Sequence, residues 1–133
     1  MDDVYCPASA WAPSLDGVRM RAVGTDEAGQ VDSRTLFLFS QRGRTVSARY
    51  SGGAVELGYL VGRVTADRLM FRYCQVDDRG EIHGGRSDCE VGRLPDGRFR
   101  LREHFRWESR EGGGTNILEQ VEGRLPPGGL PCT

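Results

Sequence analysis

One carboxylate stands in a run where an apolar side chain is due. From Phe99 to Glu108 the residues alternate: Arg100, Arg102, His104, Arg106 and Glu108 share one face, and Phe99, Leu101, Glu103, Phe105 and Trp107 share the other. A row of arginines cannot be buried unpaired, so the first face meets solvent and Glu103 points inward. Burial disfavours the ionised carboxylate and raises its pKa unless a cation or a hydrogen-bond donor compensates. A carboxyl group poised in this way can serve as a general acid or base near neutral pH. Paired with an inward arginine or tyrosine, it would only stiffen the core. Glu103 is the leading catalytic candidate.

Other runs supply partners. Leu69, Phe71, Tyr73 and Gln75 lie opposite Met70, Arg72, Cys74 and Val76, and the face without the arginine goes inward. By the same reasoning Val46, Ala48 and Tyr50 face away from Thr45, Ser47 and Arg49. Arg86, Asp88 and Glu90 form a charged row, which turns His83, Ser87 and Cys89 inward. Gly84 and Gly85 suggest a bulge there, and a slip of one residue would invert that face. Tyr73 and Tyr50 join Glu103 as catalytic candidates, and Trp107, Phe105, Phe71, Gln75, His83, Ser87 and Cys89 are the candidate substrate contacts. The bland alternatives are hydrogen-bonded core tyrosines and a surface histidine.

Much other chemistry is excluded. All 18 basic residues are arginine, which removes a lysine Schiff base and a P-loop lysine. No GxSxG, HExxH or helix-opening GxGxxG is present. Gly112-Gly113-Gly114 precedes no helix that could present a phosphate site. Cys6, Cys74, Cys89 and Cys132 show no CxxC and no grouping with the two histidines, so neither a zinc site nor any other cofactor is expected. The net charge of −1 supplies no general field for nucleic acid. The start Met1-Asp2-Asp3-Val4-Tyr5 is acidic where a secretion signal is basic, and no apolar run is long enough to span a membrane as a helix. The reading is cytoplasmic, with free thiols. The partner is a small apolar molecule, and a homodimer is left open.

The elements that must position these residues are strands. Period-two alternation recurs, with turn chemistry about every ten residues. Strands are expected at 15–23, 33–41, 45–50, 55–65, 69–76, 81–91, 99–107 and 115–122, with Leu94-Pro95-Asp96-Gly97 the clearest turn. Eight strands with short links make an all-β, antiparallel up-and-down barrel, closure of which removes the exposed edges. A two-sheet sandwich is the less economical alternative. The barrel domain is 15–122. Residues 1–14 form an apolar arm that could cover a mouth, and residues 123–133 form a Pro/Gly-rich tail.

Several motifs occur in the order of one bacterial family. They are Tyr50-Ser51-Gly52-Gly53, Gly58-Tyr59-Leu60-Val61-Gly62, Phe71-Arg72-Tyr73 and Leu94-Pro95-Asp96-Gly97-Arg98, followed by Leu101, Glu103 and Trp107. The chain resembles the small proteins labelled "N-acetylglutamate synthase" over roughly Val18 to Glu119. The resemblance implies a compact lipocalin-like barrel without a settled activity. An acetyl-CoA-dependent synthase needs an α/β fold, which this helix-free pattern does not provide. Glu103 and Trp107 match the family pattern; Ser87 and Phe105 depart from it, where relatives carry cysteine and tryptophan.

Three functions fit such a barrel. The first is a cofactor-independent cyclase, isomerase or lyase acting on an apolar substrate in the lumen, with Glu103 as general acid or base. The second is a non-catalytic carrier or sensor with the same lumen. The third is a barrel filled by its own side chains that works through its arginine-rich outer wall.

Overall fold

Alternation of apolar and polar residues gives each strand one wet face and one dry face, and closing the sheet turns every dry face to a common interior. In the computed structural model, which describes residues 14–121, this produces a closed barrel. The strands are β1 (Arg19–Gly24), β2 (Leu36–Arg42), β3 (Thr45–Gly52), β4 (Val55–Thr65), β5 (Arg68–Asp77), β6 (Ile82–Arg93), β7 (Phe99–Trp107) and β8 (Gly113–Gln120). Each pairs antiparallel with its neighbour, and β1 pairs with β8 to close the ring. No helix occurs among the described residues, and none is long and apolar enough to cross a membrane. The expected arm (apart from Ser14) and tail, with Cys6 and Cys132, lie outside the described residues.

Several local expectations change, among them the start of the second strand, which lies at Leu36 rather than Ser33. The first strand starts at Arg19 rather than Leu15, because Val18 N–H donates to the Leu15 carbonyl (3.0 Å) in a tight turn through Gly17. The eighth starts two residues early, taking in Gly113 and Gly114. The bulge expected at Gly84-Gly85 is absent, since β6 runs in unbroken register with β5 and β7 there. Register shifts fall instead between Ala22 and Gly24, Tyr50 and Gly52, and Val55 and Leu57.

The strand glycines make room for rings. Tyr50 lies directly across from Gly58, Phe71 from Gly62 and Tyr73 from Gly85. A Cβ at Gly58 would fall within the Tyr50 ring, and one at Gly85 would meet the Tyr73 hydroxyl and the Arg106 carbonyl. Aromatic side chains can therefore lie over the neighbouring strand and fill the interior.

Phe39, Leu69, Cys89, Leu101 and Leu118 are at most 1% exposed and close the half of the lumen nearer the β2–β3, β4–β5 and β6–β7 links. The outer wall carries the arginines. Arg72, Arg86 and Arg106 stand in direct register across β5, β6 and β7. Only Arg72 has an ion pair among the described residues, to Glu108 at 3.1 Å. Like charges directly opposite repel, so Arg86→Glu should raise the melting temperature by about 1–3 °C at low salt. Calorimetry would check this, and the gain should fade as salt screens the row.

Candidate functional site

The open half of the lumen lies at the other mouth. β7 delivers Glu103, Phe105 and Trp107 there, β5 adds Phe71, Tyr73 and Gln75, and β3 adds Tyr50. Phe37, Leu60 and Asn116 complete the wall. The β1–β2 loop, residues 25–35, folds over the top through Gly29, Gln30 and Val31. The space between them is about 20 Å³, room for roughly one water molecule, and it is partly open to the outside. A larger open groove of about 620 Å³ runs along the outer wall past Arg63, Arg72, Arg86 and Arg106, and it touches none of the buried polar groups described below except Ser87.

Glu103 is 6% exposed and, of the β7 residues that line the space, stands nearest the packed half of the lumen. Its neighbours in register are Cys89 on β6 and Asn116 on β8. The Ser87 hydroxyl donates to Oε2 (2.6 Å), and Asn116 Nδ2 donates to Oε1 (3.2 Å). Burial pushes the Glu103 pKa above the usual 4.5, and these two hydrogen bonds only partly oppose it. None of the residues lining the cavity is a cation. Among the described residues no arginine pairs with Glu103, whose side-chain partners are Ser87 and Asn116.

The tyrosines are held separately. Tyr50 Oη donates to Gln75 Oε1 (2.7 Å), and Gln75 Nε2 donates to Gln30 Oε1 (2.8 Å). Gln30 Nε2 then donates to Asp77 Oδ2 (3.0 Å), so a polar chain runs from the lumen wall through the loop to the rim. Tyr73 Oη reaches the Arg106 carbonyl only at 3.5 Å. Burial, and next to it the Glu103 charge, raises the pKa of both phenols. They remain protonated, so neither can serve as a phenolate base, although each hydroxyl can still donate and accept hydrogen bonds. Neither has a hydrogen bond to Glu103.

The remaining candidates divide by depth. Phe71, Phe105, Trp107 and Gln75 line the cavity with Glu103, Tyr50 and Tyr73. Ser87 stands behind Glu103 as its donor. Cys89 belongs to the closed half, where burial pushes its thiol pKa up and leaves it a poor nucleophile. His83 is on the inward face but at the rim, its ring edge-on to Trp107 with centroids 5.7 Å apart. Trp107 Nε1 in turn donates to the Ala28 carbonyl (2.8 Å), and the Asp26 N–H donates to Asn116 Oδ1 (3.3 Å). The loop is thus latched to two residues of the site.

Sequence reasoning missed Asn116, Gln30 and Asp77. Asn116 was within reach, because it shares a face with Leu118 two residues on. Gln30 and Asp77 were not, since a loop residue and a strand end carry no periodic signal.

An eight-stranded up-and-down barrel with one packed end and one aromatic, partly polar end is a small-ligand barrel, the architecture of lipocalins and streptavidin. The chain belongs to the avidin-like family: the sequence model described as Avidin-like protein matches residues 13–121. Comparison with the curated proteins and with the solved structures finds no significant match. The family match agrees with the barrel that the sequence resemblance implied and has no bearing on the synthase label.

Proposed function

We propose that the barrel is a receptor for one small neutral molecule, which takes the aromatic end of the lumen and hydrogen-bonds to the Glu103–Asn116 pair. One observation carries this reading: a buried carboxyl group faces an aromatic cavity that contains no cation. An anionic ligand would meet Glu103 without compensation, whereas a neutral polar group can accept from its acid form or donate to its free lone pairs. The space of about 20 Å³ is smaller than such a molecule, so its entry would need the 25–35 loop, held by the Trp107–Ala28 hydrogen bond, to move outward.

The raised Glu103 pKa favours a second reading, in which the same carboxyl is a general acid or base for isomerisation, cyclisation or elimination of an apolar substrate. Tyr50 or Tyr73 would then act as a proton donor. Receptor binding takes precedence because both carboxyl oxygens and the Tyr50 hydroxyl are already engaged by protein groups.

Incubating the protein and its Glu103→Gln variant with a metabolite extract of the source organism separates the readings. Mass spectrometry of bound and free fractions should find a neutral compound retained unchanged by the parent protein and at least tenfold less by the variant. A product formed only by the parent protein would establish catalysis instead. Retention of nothing by either protein would mean that the lumen is simply core.

A further inference from the structure

Beside the lumen, the rim of the barrel brings together three metal-ligating side chains, one of which, Asp77, also holds the β5–β6 turn and Gln30 of the β1–β2 loop. Asp77 ends β5, Glu81 lies in the β5–β6 turn, and His83 begins the inward face of β6. One ligand atom from each lies within 4.8 Å of the other two. His83 Nε2 is 3.4 Å from Glu81 Oε1 and 3.8 Å from Asp77 Oδ2. Ligands bound tetrahedrally at 2.0–2.2 Å from zinc stand roughly 3.3–3.6 Å apart, so these side chains close on an ion with shifts of a few tenths of an ångström to about one ångström.

A separate observation concerns charge. The Asp77 side chain is only 5% exposed, yet no arginine pairs with it among the described residues of a chain that holds 18 arginines. Its partners are neutral: the N–H groups of Arg79 and Glu81 on Oδ1, and Gln30 on Oδ2. Among the described residues, His83 is the one basic side chain within ion-pair distance of it, at 3.8 Å. A buried carboxylate normally has a paired cation or a metal. The other requirements of a metal site are also present. Trp107 packs against the His83 ring, Ser109 Oγ lies 3.3 Å from Nδ1 to orient it, and Glu81 is 64% exposed and leaves a route for an ion.

We propose that Asp77, Glu81 and His83 form a three-ligand site for a divalent first-row transition ion, with zinc the ion that suits the spacing, and a fourth position open to water or to a ligand. The site escapes a search for cysteine-based motifs because two of its three ligands are carboxylates.

The test uses tag-free full-length protein, stripped with chelator, titrated with zinc chloride by calorimetry and followed by tryptophan fluorescence in a Trp11→Phe background that leaves Trp107 as the reporter. One zinc per chain should bind with micromolar affinity, and millimolar magnesium should not compete, since magnesium favours octahedral oxygen ligands. Glu81→Gln should weaken binding about tenfold and His83→Ala by about fiftyfold or more, on the scale set by loss of a direct ligand. His104→Ala, which removes the outer-wall histidine, should leave binding unchanged. Melting temperatures of the variants confirm that they fold, and Asp77 is left intact because it also holds the turn. Absence of zinc binding by the parent protein at 200 µM, or unchanged binding in His83→Ala, would overturn the proposal.

Discussion

Glu103→Gln is expected to be more stable than the parent protein at pH 8 and matched to it near pH 4. In the folded chain burial raises the Glu103 pKa above 4.5, so between the unfolded and folded values the native state holds a proton that the unfolded state has released. The stability contributed by the acid form is therefore complete below pH 4.5 and declines as pH rises toward the folded pKa. The slope can reach about 1.4 kcal/mol per pH unit over that window. A glutamine amide imitates the protonated acid: its oxygen accepts from Asn116 and its NH2 donates to the Ser87 hydroxyl. It does not ionise, so the variant escapes the decline. Urea titrations at pH 4, 6 and 8 would show the gap between the two proteins opening with pH. A constant gap would mean that Glu103 titrates alike in both states.

Gly62→Ala should cost about 3 kcal/mol or more, the upper range of overpacking effects. A Cβ at Gly62 would overlap the Met70 carbonyl oxygen and the Cα and Cβ of Phe71 on the neighbouring strand. Backbone cannot step aside as a flexible side chain can, so β4 and β5 must separate or Phe71 must leave the lumen wall. Gly43 provides the control: it has a positive φ of 61°, but a Cβ there meets nothing within 4 Å. Gly43→Ala should cost only the left-handed backbone strain, about 1–2 kcal/mol. Chemical denaturation compares the two directly. Equal losses would show that the close approach of β4 and β5 is not the constraint at Gly62.

The barrel was legible because its code is local. Alternation in 99–107 placed Glu103 among apolar neighbours, the single Arg72 on the fifth strand turned Tyr73 and Gln75 inward, and the charged row on the sixth turned Ser87 inward. The glycines misled for a physical reason. Gly84-Gly85 carries the same residue signal for a bulge and for a space that a facing ring occupies, and only the register with Tyr73 and Trp107 separates the two. The lid was also beyond reach of periodicity. The arm at 1–14, expected as a possible cover, lies outside the described residues apart from Ser14, and among the described residues Gly29, Gln30 and Val31 reach over the mouth from the β1–β2 loop. That position depends on the Trp107–Ala28 and Gln30–Asp77 hydrogen bonds, which join residues 79 and 47 positions apart. Asp77 itself reads as a turn former in the sequence, and its burial beneath the loop appears only once the barrel closes.

In the proposed reading the working group of the lumen is Glu103, where burial favours the acid form. The direct measurement is the ¹³C chemical shift of its side-chain carboxyl from pH 3 to 9, assigned as the glutamate signal missing from Glu103→Gln. The structure predicts a titration midpoint clearly above 4.5, with Ser87→Ala raising it further by removing a donor to the charged form. A midpoint at or below 4.5 would contradict it, because the lumen would then hold an ordinary carboxylate stabilised by donors and would be suited to a cationic ligand rather than a neutral one.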